Sequence, residues 1–240
     1  MARVTKRPEQ RRAELLDIAQ RLVFEHGYEA TTIAAILDAA RLSKGAFYHH
    51  FASKEELLDG LASRFVDRGL DALGGILASR EGGSVARLRR FLSATRRLDA
   101  EQAPLVVASV TVMHRPANLA LRQRIHELTL ARMAPPLAEV VEAGLVAGEL
   151  RVGDPLGTAE VILQLGAASH QAIALWLAAT PRSDPSDLQR RLHVYEVAVN
   201  RLLGLADDTL RYLSPGFAEA LASAASSGEG PAWTRVAQRP

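Results

Sequence analysis

Apolar residues recur along this chain at three- and four-residue steps almost from end to end, and that period predicts helices throughout. Leu15, Ile18, Ala19, Leu22 and Val23 form one stripe, which predicts a helix over about Glu9 to His26, ended by Gly27. Ile33, Ile36, Leu37 and Ala40 repeat after Thr31 and Thr32, whose hydroxyls can cap a short second helix. Leu42 then plugs a tight turn, Ser43 is an N-cap, and Lys44 to Phe51 reads as a short third helix with Phe47 and Phe51, at i and i+4, as core residues. Two short helices joined in this way are helix-turn-helix grammar. Ser53 and Glu56 have capping-box spacing and open a fourth helix, carried by Leu57, Leu58, Leu61, Phe65, Val66, Leu70 and Leu73.

Gly74-Gly75 and Glu81-Gly82-Gly83-Ser84 read as a loosening between domains. Beyond them the pattern predicts helices over about Ser84 to Asp99, Leu105 to Met113, Pro116 to Met133 and Leu137 to Ala147, with Pro135-Pro136 breaking or kinking the chain. Asp154-Pro155 is an N-cap followed by an N1 proline, opening an apolar helix to about Ala179. A last long helix starts at Ser186 or Asp187, with Leu188, Leu192, Tyr195, Val199 and Leu202 at helical steps. After Ser214 the chain turns Ala-, Ser- and Gly-rich, with room for a short helix over Phe217 to Ala225 before a disordered end at Gly228, Gly230, Pro231 and Pro240.

Composition narrows the class. The 240 residues are 48% hydrophobic, enough for a sizeable core, and Ala, Leu and Arg outweigh β-formers, so an all-α protein is expected. There is no cysteine, which removes disulfides and thiolate metal sites. The first residues carry charge where a signal peptide needs an apolar segment, and no apolar run approaches a membrane span, so a cytoplasmic protein without membrane contact is expected. The net charge of +2 argues nothing by itself. Its distribution says more: Arg3, Lys6, Arg7, Arg11 and Arg12 face only Glu9, and such an arm ahead of a helix-turn-helix suits a phosphate backbone or a minor groove. A second basic face, Arg87, Arg89, Arg90, Arg96 and Arg97, reads as solvated surface.

The third helix is odd for a purely structural element. Gly45 in its first turn costs helix stability but lets another backbone or a base edge approach. Tyr48, His49 and His50 cannot all point inward, and their polar tips suit phosphate oxygens. At these residues the chain resembles the tetracycline-repressor (TetR) family of bacterial transcription regulators: Gly27, Thr31, Thr32, Ile36, Ala40, Leu42, Ser43, Gly45, Phe47, Tyr48, His50, Phe51, Lys54 and Leu57 fill the family's places. Arg41 stands where the family prefers a turn glycine, and Leu37 where it prefers alanine. A positive φ at that turn would mildly strain Arg41. The resemblance covers about residues 10 to 60; beyond it only helix order and length agree.

The resemblance implies that Lys44, Gly45 and Ala46 face base edges, while Thr32, Ser43, Tyr48, His49, His50 and Lys54 meet the backbone of double-stranded DNA with a roughly palindromic operator. It implies residues 1–52 as DNA-binding domain, 53–73 as connector helix, 74–213 as ligand-binding and dimerisation domain, and 214–240 as a tail. It also implies a homodimer packed through the last two long helices, with Leu163, Ala167, Ala174, Leu188, Leu192, Tyr195, Val199 and Leu202 at the interface and Gly166 permitting close approach. Scattered polar or flexible residues within apolar helices, Thr111, Met113, His114, His126, Thr129, Met133, Gln164 and Gln171, read as a pocket lining for a small, largely apolar effector, with His126 and Gln164 orienting its polar end. Enzyme readings fare poorly. His126-Glu127 lacks the second histidine of a zinc-protease motif, because Leu130 fills that place, and Gly74-Gly75 is no phosphate loop. No cofactor or metal is expected. The alternative is a helical binding or scaffold module that does not read DNA.

Overall fold

A computed structural model describes residues 8–79, 81–96 and 98–227, and every regular element among them is helical. The helices are α1 (Pro8–His26), α2 (Ile33–Ala40), α3 (Lys44–Tyr48), α4 (Lys54–Ala78), α5 (Gly83–Arg96), α6 (Ala103–Met113), α7 (Leu119–Val146), α8 (Pro155–Ala178), α9 (Pro185–Leu202) and α10 (Phe217–Ser226). Short 3-10 turns at Ala100–Gln102 and Pro116–Asn118 precede α6 and α7. Arg3, Lys6 and Arg7 of the basic arm, Arg97, and the glycines and prolines after Ser227 lie outside the described residues.

The chain forms two compact units, one from residues 1–68 with 112–128 and the other from 69–111 with 129–240. Residues 112–128, expected within 74–213, pack with the N-terminal helices. Unit one has a core of Leu15, Leu16, Ala19, Leu22 and Val23 from α1, Ile36 from α2, Phe47 and Phe51, Leu57 and Leu61 from α4, and Leu121 from α7. The stripe on α1 is thus shifted from its expected line, with Leu16 buried and Ile18 only partly so. Phe47 and Phe51 are fully buried, their ring centroids 5.8 Å apart.

Residues 112–128 join unit one by specific contacts. Asn118, fully buried, accepts from the Tyr28 amide at 2.8 Å and donates to the Val112 carbonyl at 2.9 Å. Arg115 donates to the Phe24 and Glu25 carbonyls at 2.8 and 3.2 Å, capping the end of α1. Arg124 pairs with Asp59 at 2.7 Å. Gly27 has φ 90°, and a Cβ there would lie 2.5 Å from that of Ala117, so both backbone and packing require glycine.

Unit two is built around Leu88, Phe91 and Leu92 of α5, Leu137, Val140 and Val141 of α7, Ile162 and Ile173 of α8, Leu192 and Val199 of α9, and Phe217 and Leu221 of α10. α8 and α10 both pack on α9. Several expectations are corrected here. α4 runs through Gly74-Gly75 to Ala78. α7 runs through Pro135 and Pro136, which remove the donors that Ala131 and Arg132 carbonyls would use. Both of those residues are exposed, so water can serve their carbonyls. The short helix expected in the tail exists as α10, but it is core, with Phe217 and Leu221 fully buried. α8, at 24 residues and mean hydropathy 1.4, is long and apolar enough to cross a membrane by length and composition, contrary to the expectation that no run approaches that size. Its Ala159, Ile162, Ala172, Ile173 and Trp176 lie in the core, which accounts for the apolar composition.

Candidate nucleic-acid interface

The turn and its caps are set by local chemistry. Thr32 has extended backbone and its hydroxyl accepts from Ala35 N at 3.1 Å, capping α2, while the Thr31 hydroxyl turns inward to the Gly27 carbonyl at 2.8 Å. Arg41 closes α2 in the left-handed region, φ 53° and ψ 47°, where its amide reaches the Asp38 and Leu37 carbonyls. The strain expected at that position is present. Ser43 caps α3, accepting from Ala46 N at 3.3 Å. Ser53 accepts from Glu56 N at 3.1 Å, and Glu56 reaches back to Ala52 N at 2.7 Å, one residue earlier than a capping box predicts.

These caps leave an outward face. Thr32, Ser43, Lys44, Gly45, Tyr48 and His49 are exposed, and Ala46 and His50 are half-buried. A Cβ built on Gly45 would meet nothing within 4 Å, so the fold does not demand glycine there. Tyr48, 44% exposed, rests edge-on against Phe47 with its hydroxyl end free to turn outward. The His49 and His50 rings stand 5.1 Å apart, and the Arg12 guanidinium lies 4.4 Å over the Phe51 ring. Burial, then the neighbouring His49, Arg11 and Arg12, hold the His50 imidazole below the usual histidine range. A phosphate at that place would oppose all three charges. Lys54 is partly occupied: its ammonium donates to the Glu29 carbonyl at 3.2 Å and sits 4.5 Å over the Tyr28 ring. It therefore ties the start of α4 to the loop after α1 before it meets any ligand.

The expected pocket residues are divided between the two units. Met113, His114 and His126 fall in unit one, and Thr111, Thr129, Met133, Gln164 and Gln171 in unit two. Thr111, Gln164 and Gln171 are exposed and only Met133 is buried. The turn at Pro116–Asn118 carries part of the α6 and α7 sequence into the other unit, which helical period alone does not reveal. The expected interface set is also divided. Leu188, Leu192 and Val199 are at most 3% exposed and belong to the core of their own chain. Leu163, Ala174, Tyr195 and Leu202 are half-buried, and Ala167 is exposed. The large apolar residues left outward are Leu156, Val161 and Leu175 on α8 and Val194 on α9, 46, 40, 57 and 64% exposed. On α8 the exposed positions Val161, Gln164, Ala167, Gln171, Leu175 and Ala178 follow at steps of three and four, forming one stripe.

The basic face of α5 is spent on carbonyls. Arg87 bonds Leu77, Arg89 bonds Thr209 at 3.1 Å, and Arg90 bonds Glu81 at 2.8 Å. Arg96 is no surface residue at all but is 3% exposed.

An all-α chain with a capped helix-turn-helix and an outward polar face on its second helix belongs to the helix-turn-helix proteins. Residues 15–61 match the sequence model of bacterial regulatory proteins, tetR family. The chain is 46% identical over 67 residues to the HTH-type transcriptional repressor KstR2 of Mycobacterium tuberculosis H37Rv, covering 28% of this chain and 34% of that protein. It is 35% identical over 108 residues to KstR2 of Rhodococcus jostii, covering 45 and 53%, and 34% identical over 93 residues to the repressor AcnR of Corynebacterium glutamicum, covering 39 and 46%. The matches thus span about a third to a half of these curated relatives. RolR in complex with resorcinol shares the fold at TM-score 0.57 and 19% identity, over 97% of this chain and 95% of that one. Reduced NemR of E. coli does so at 0.54 and 22%, over 80 and 97%. Residues 15–61 thus carry the tetR-family sequence, and the fold around them is shared with RolR and NemR.

Proposed function

We propose that this chain is a homodimeric, sequence-specific DNA-binding transcriptional regulator, a repressor released by a small, largely apolar effector, acting in the cytoplasm. The observation that carries it is Gly45: exposed, helix-weakening, with open space where a side chain would be, and set between exposed Lys44 and half-buried Ala46. A position that sacrifices helix propensity without any packing reason suits close approach of something outside the fold. Lys44, Gly45 and Ala46 read base edges, Ala46 against a thymine methyl; Thr32, Ser43, Tyr48, His49, His50 and Lys54 hold phosphates. The repressor names of the relatives support this reading, and RolR, solved in complex with resorcinol, supports a small-molecule effector.

The dimer seam of this proposal uses the outward stripe of α8, Val161, Ala167 and Leu175 with Gln164 and Gln171, together with Val194 of α9. It replaces the buried Leu188, Leu192 and Val199 as seam residues. Two recognition helices would then read half-sites one or more DNA turns apart, ~34 Å or a multiple. Effector binding shifts the balance between two arrangements of the DNA-reading units through α4, a coupling of ~1–3 kcal/mol. The test is retention of the full-length protein on promoter DNA across a salt series. The regulator reading expects affinity falling linearly on a log-log scale as phosphate contacts release counterions. Retention that is absent at low salt supports a scaffold module instead.

A further inference from the structure

Arg96, at the end of α5, lies inside the core of unit two. Its Nη1 donates to Ser169 Oγ at 3.2 Å, its Nη2 to the Ile162 carbonyl at 3.0 Å, and its guanidinium lies 5.0 Å over the Tyr212 ring. Both acceptors are neutral. The carboxylate that acts on it electrostatically is Glu196. That group is committed elsewhere: Oε1 accepts from the amides of Tyr212 and Leu213 at 2.7 and 2.9 Å, and Oε2 faces His193 Nδ1 at 3.1 Å. The Tyr212 hydroxyl, on a residue 4% exposed, has no hydrogen-bond partner among the described residues. Buried arginines are normally paired and buried hydroxyls normally bonded. Both shortfalls fall in one cluster.

α8 presents Ile162, Gly166 and Ser169 toward this cluster at steps of four and three. A Cβ built on Gly166 would lie in ordinary van der Waals contact with the guanidinium, its nearest atom the central carbon at 3.7 Å, so the glycine lets α8 pass close to the cation. Burial above all, with Glu196 adding and Arg96 opposing, pushes the Tyr212 phenol up to about 12, so it stays protonated as a donor.

We propose that Arg96 and Tyr212 receive the acid group of a small organic monocarboxylate whose apolar body enters the core of unit two, an inference that rests on reading this unit as the effector-binding one. A planar carboxylate matches the fork of a guanidinium and accepts the unpartnered phenol proton at the same time. It also supplies the missing counter-charge. The effector is therefore largely apolar but acidic, which sequence reasoning missed because Arg96 reads as one of a row of surface arginines.

The test is thermal-shift and calorimetric titration of the full-length protein at neutral pH with benzoate and hexanoate against benzamide and hexanamide. The acids should raise the melting temperature and the amides should not. Tyr212→Phe should leave the ligand-free melting temperature unchanged or higher, since it deletes an unpartnered hydroxyl, and should weaken acid binding roughly tenfold. Arg96→Lys should weaken it as well. Equal shifts by acid and amide, no shift by either acid, or undiminished benzoate binding by Tyr212→Phe would each overturn the site. DNA affinity is read separately: acid binding that leaves it unchanged keeps the site and removes the effector role, whereas wild-type protein that binds acids but no DNA removes the regulator reading alone.

Discussion

The two units of this chain are both helical cores, but different chemistry holds them. Unit one is trimmed by caps that reach three residues along the chain, Thr32 to Ala35, Ser43 to Ala46, Ser53 to Glu56, with Asn118 and Arg115 as its long-range ties. Unit two is stitched by polar groups that reach across sequence: exposed Glu149 caps α5 through the Ser84 and Val85 amides, buried Glu196 holds Tyr212 and Leu213, and buried Asn200 bonds both ways to Leu210 and donates to the Asp207 carbonyl. Local caps use short side chains at the rim of each helix, so the outward face of α3 stays free for a ligand. Among the described residues of unit two, the stitch at Arg96 and Tyr212 is incomplete, and Arg87 Nε is likewise left without a partner.

The largest effect that tests this contrast is Leu192→Arg. Leu192 is 1% exposed in its own chain, so the arginine would bury an unpaired charge and destabilise unit two by about 4 kcal/mol or more. Denaturant unfolding should show that loss. Val194→Arg, on an exposed residue of the same helix, should change stability by no more than about 0.5 kcal/mol while sedimentation shows a folded monomer. A stable, folded monomer from Leu192→Arg would merge core and seam again.

Next in size is Asn118→Ala, which removes partners from the Tyr28 amide and the Val112 carbonyl inside unit one. A loss of about 2–3 kcal/mol in thermal or urea unfolding is expected, because buried polar groups are left unsatisfied. A loss below about 0.5 kcal/mol would mean unit one is held by its local caps alone.

What was legible in the sequence follows the same division. The caps at Thr32, Ser43 and Asp154, the left-handed Arg41 and the core role of Phe47 and Phe51 were readable because each is decided within about four residues, whereas α9 opens at Pro185 behind an Asp184 cap and not at Ser186 or Asp187. Asn118 and Gly27 were readable only as punctuation, and Arg115 carried no signal; their partnership joins segments some ninety residues apart. Leu188, Leu192 and Val199 show why period cannot separate core from seam. A helix covered on two sides by its own chain and a helix covered by a second copy carry the same apolar stripe. Proline was over-read at Pro135-Pro136, since an exposed turn can leave its carbonyls to water.

Smaller effects separate stability from function within α3 and its turn. Gly45→Ala should gain about 0.5–1 kcal/mol of stability in thermal melts while weakening operator binding, since its Cβ meets nothing in the fold. Stability and affinity rising together would remove the argument from Gly45. Arg41→Gly should gain up to about 1 kcal/mol by relieving the left-handed backbone. The smallest effect is in pH. The folded state lowers the His50 pKa from its ordinary 6.5, chiefly by burial, so its contribution is present above that value and is lost as pH falls below it. Melts at pH 7.5 and 5.5 should differ less in His50→Gln than in wild type.

The central claim is that α3 reads base sequence while its neighbours hold phosphate. It is tested most directly by sequencing the genomic fragments retained by wild type, Lys44→Ala and Tyr48→Phe. The account predicts a shared inverted repeat for wild type, the same repeat more weakly retained by Tyr48→Phe, and fragments without it for Lys44→Ala. Fragments with no common sequence for wild type, or equal loss of the repeat in both variants, would contradict it.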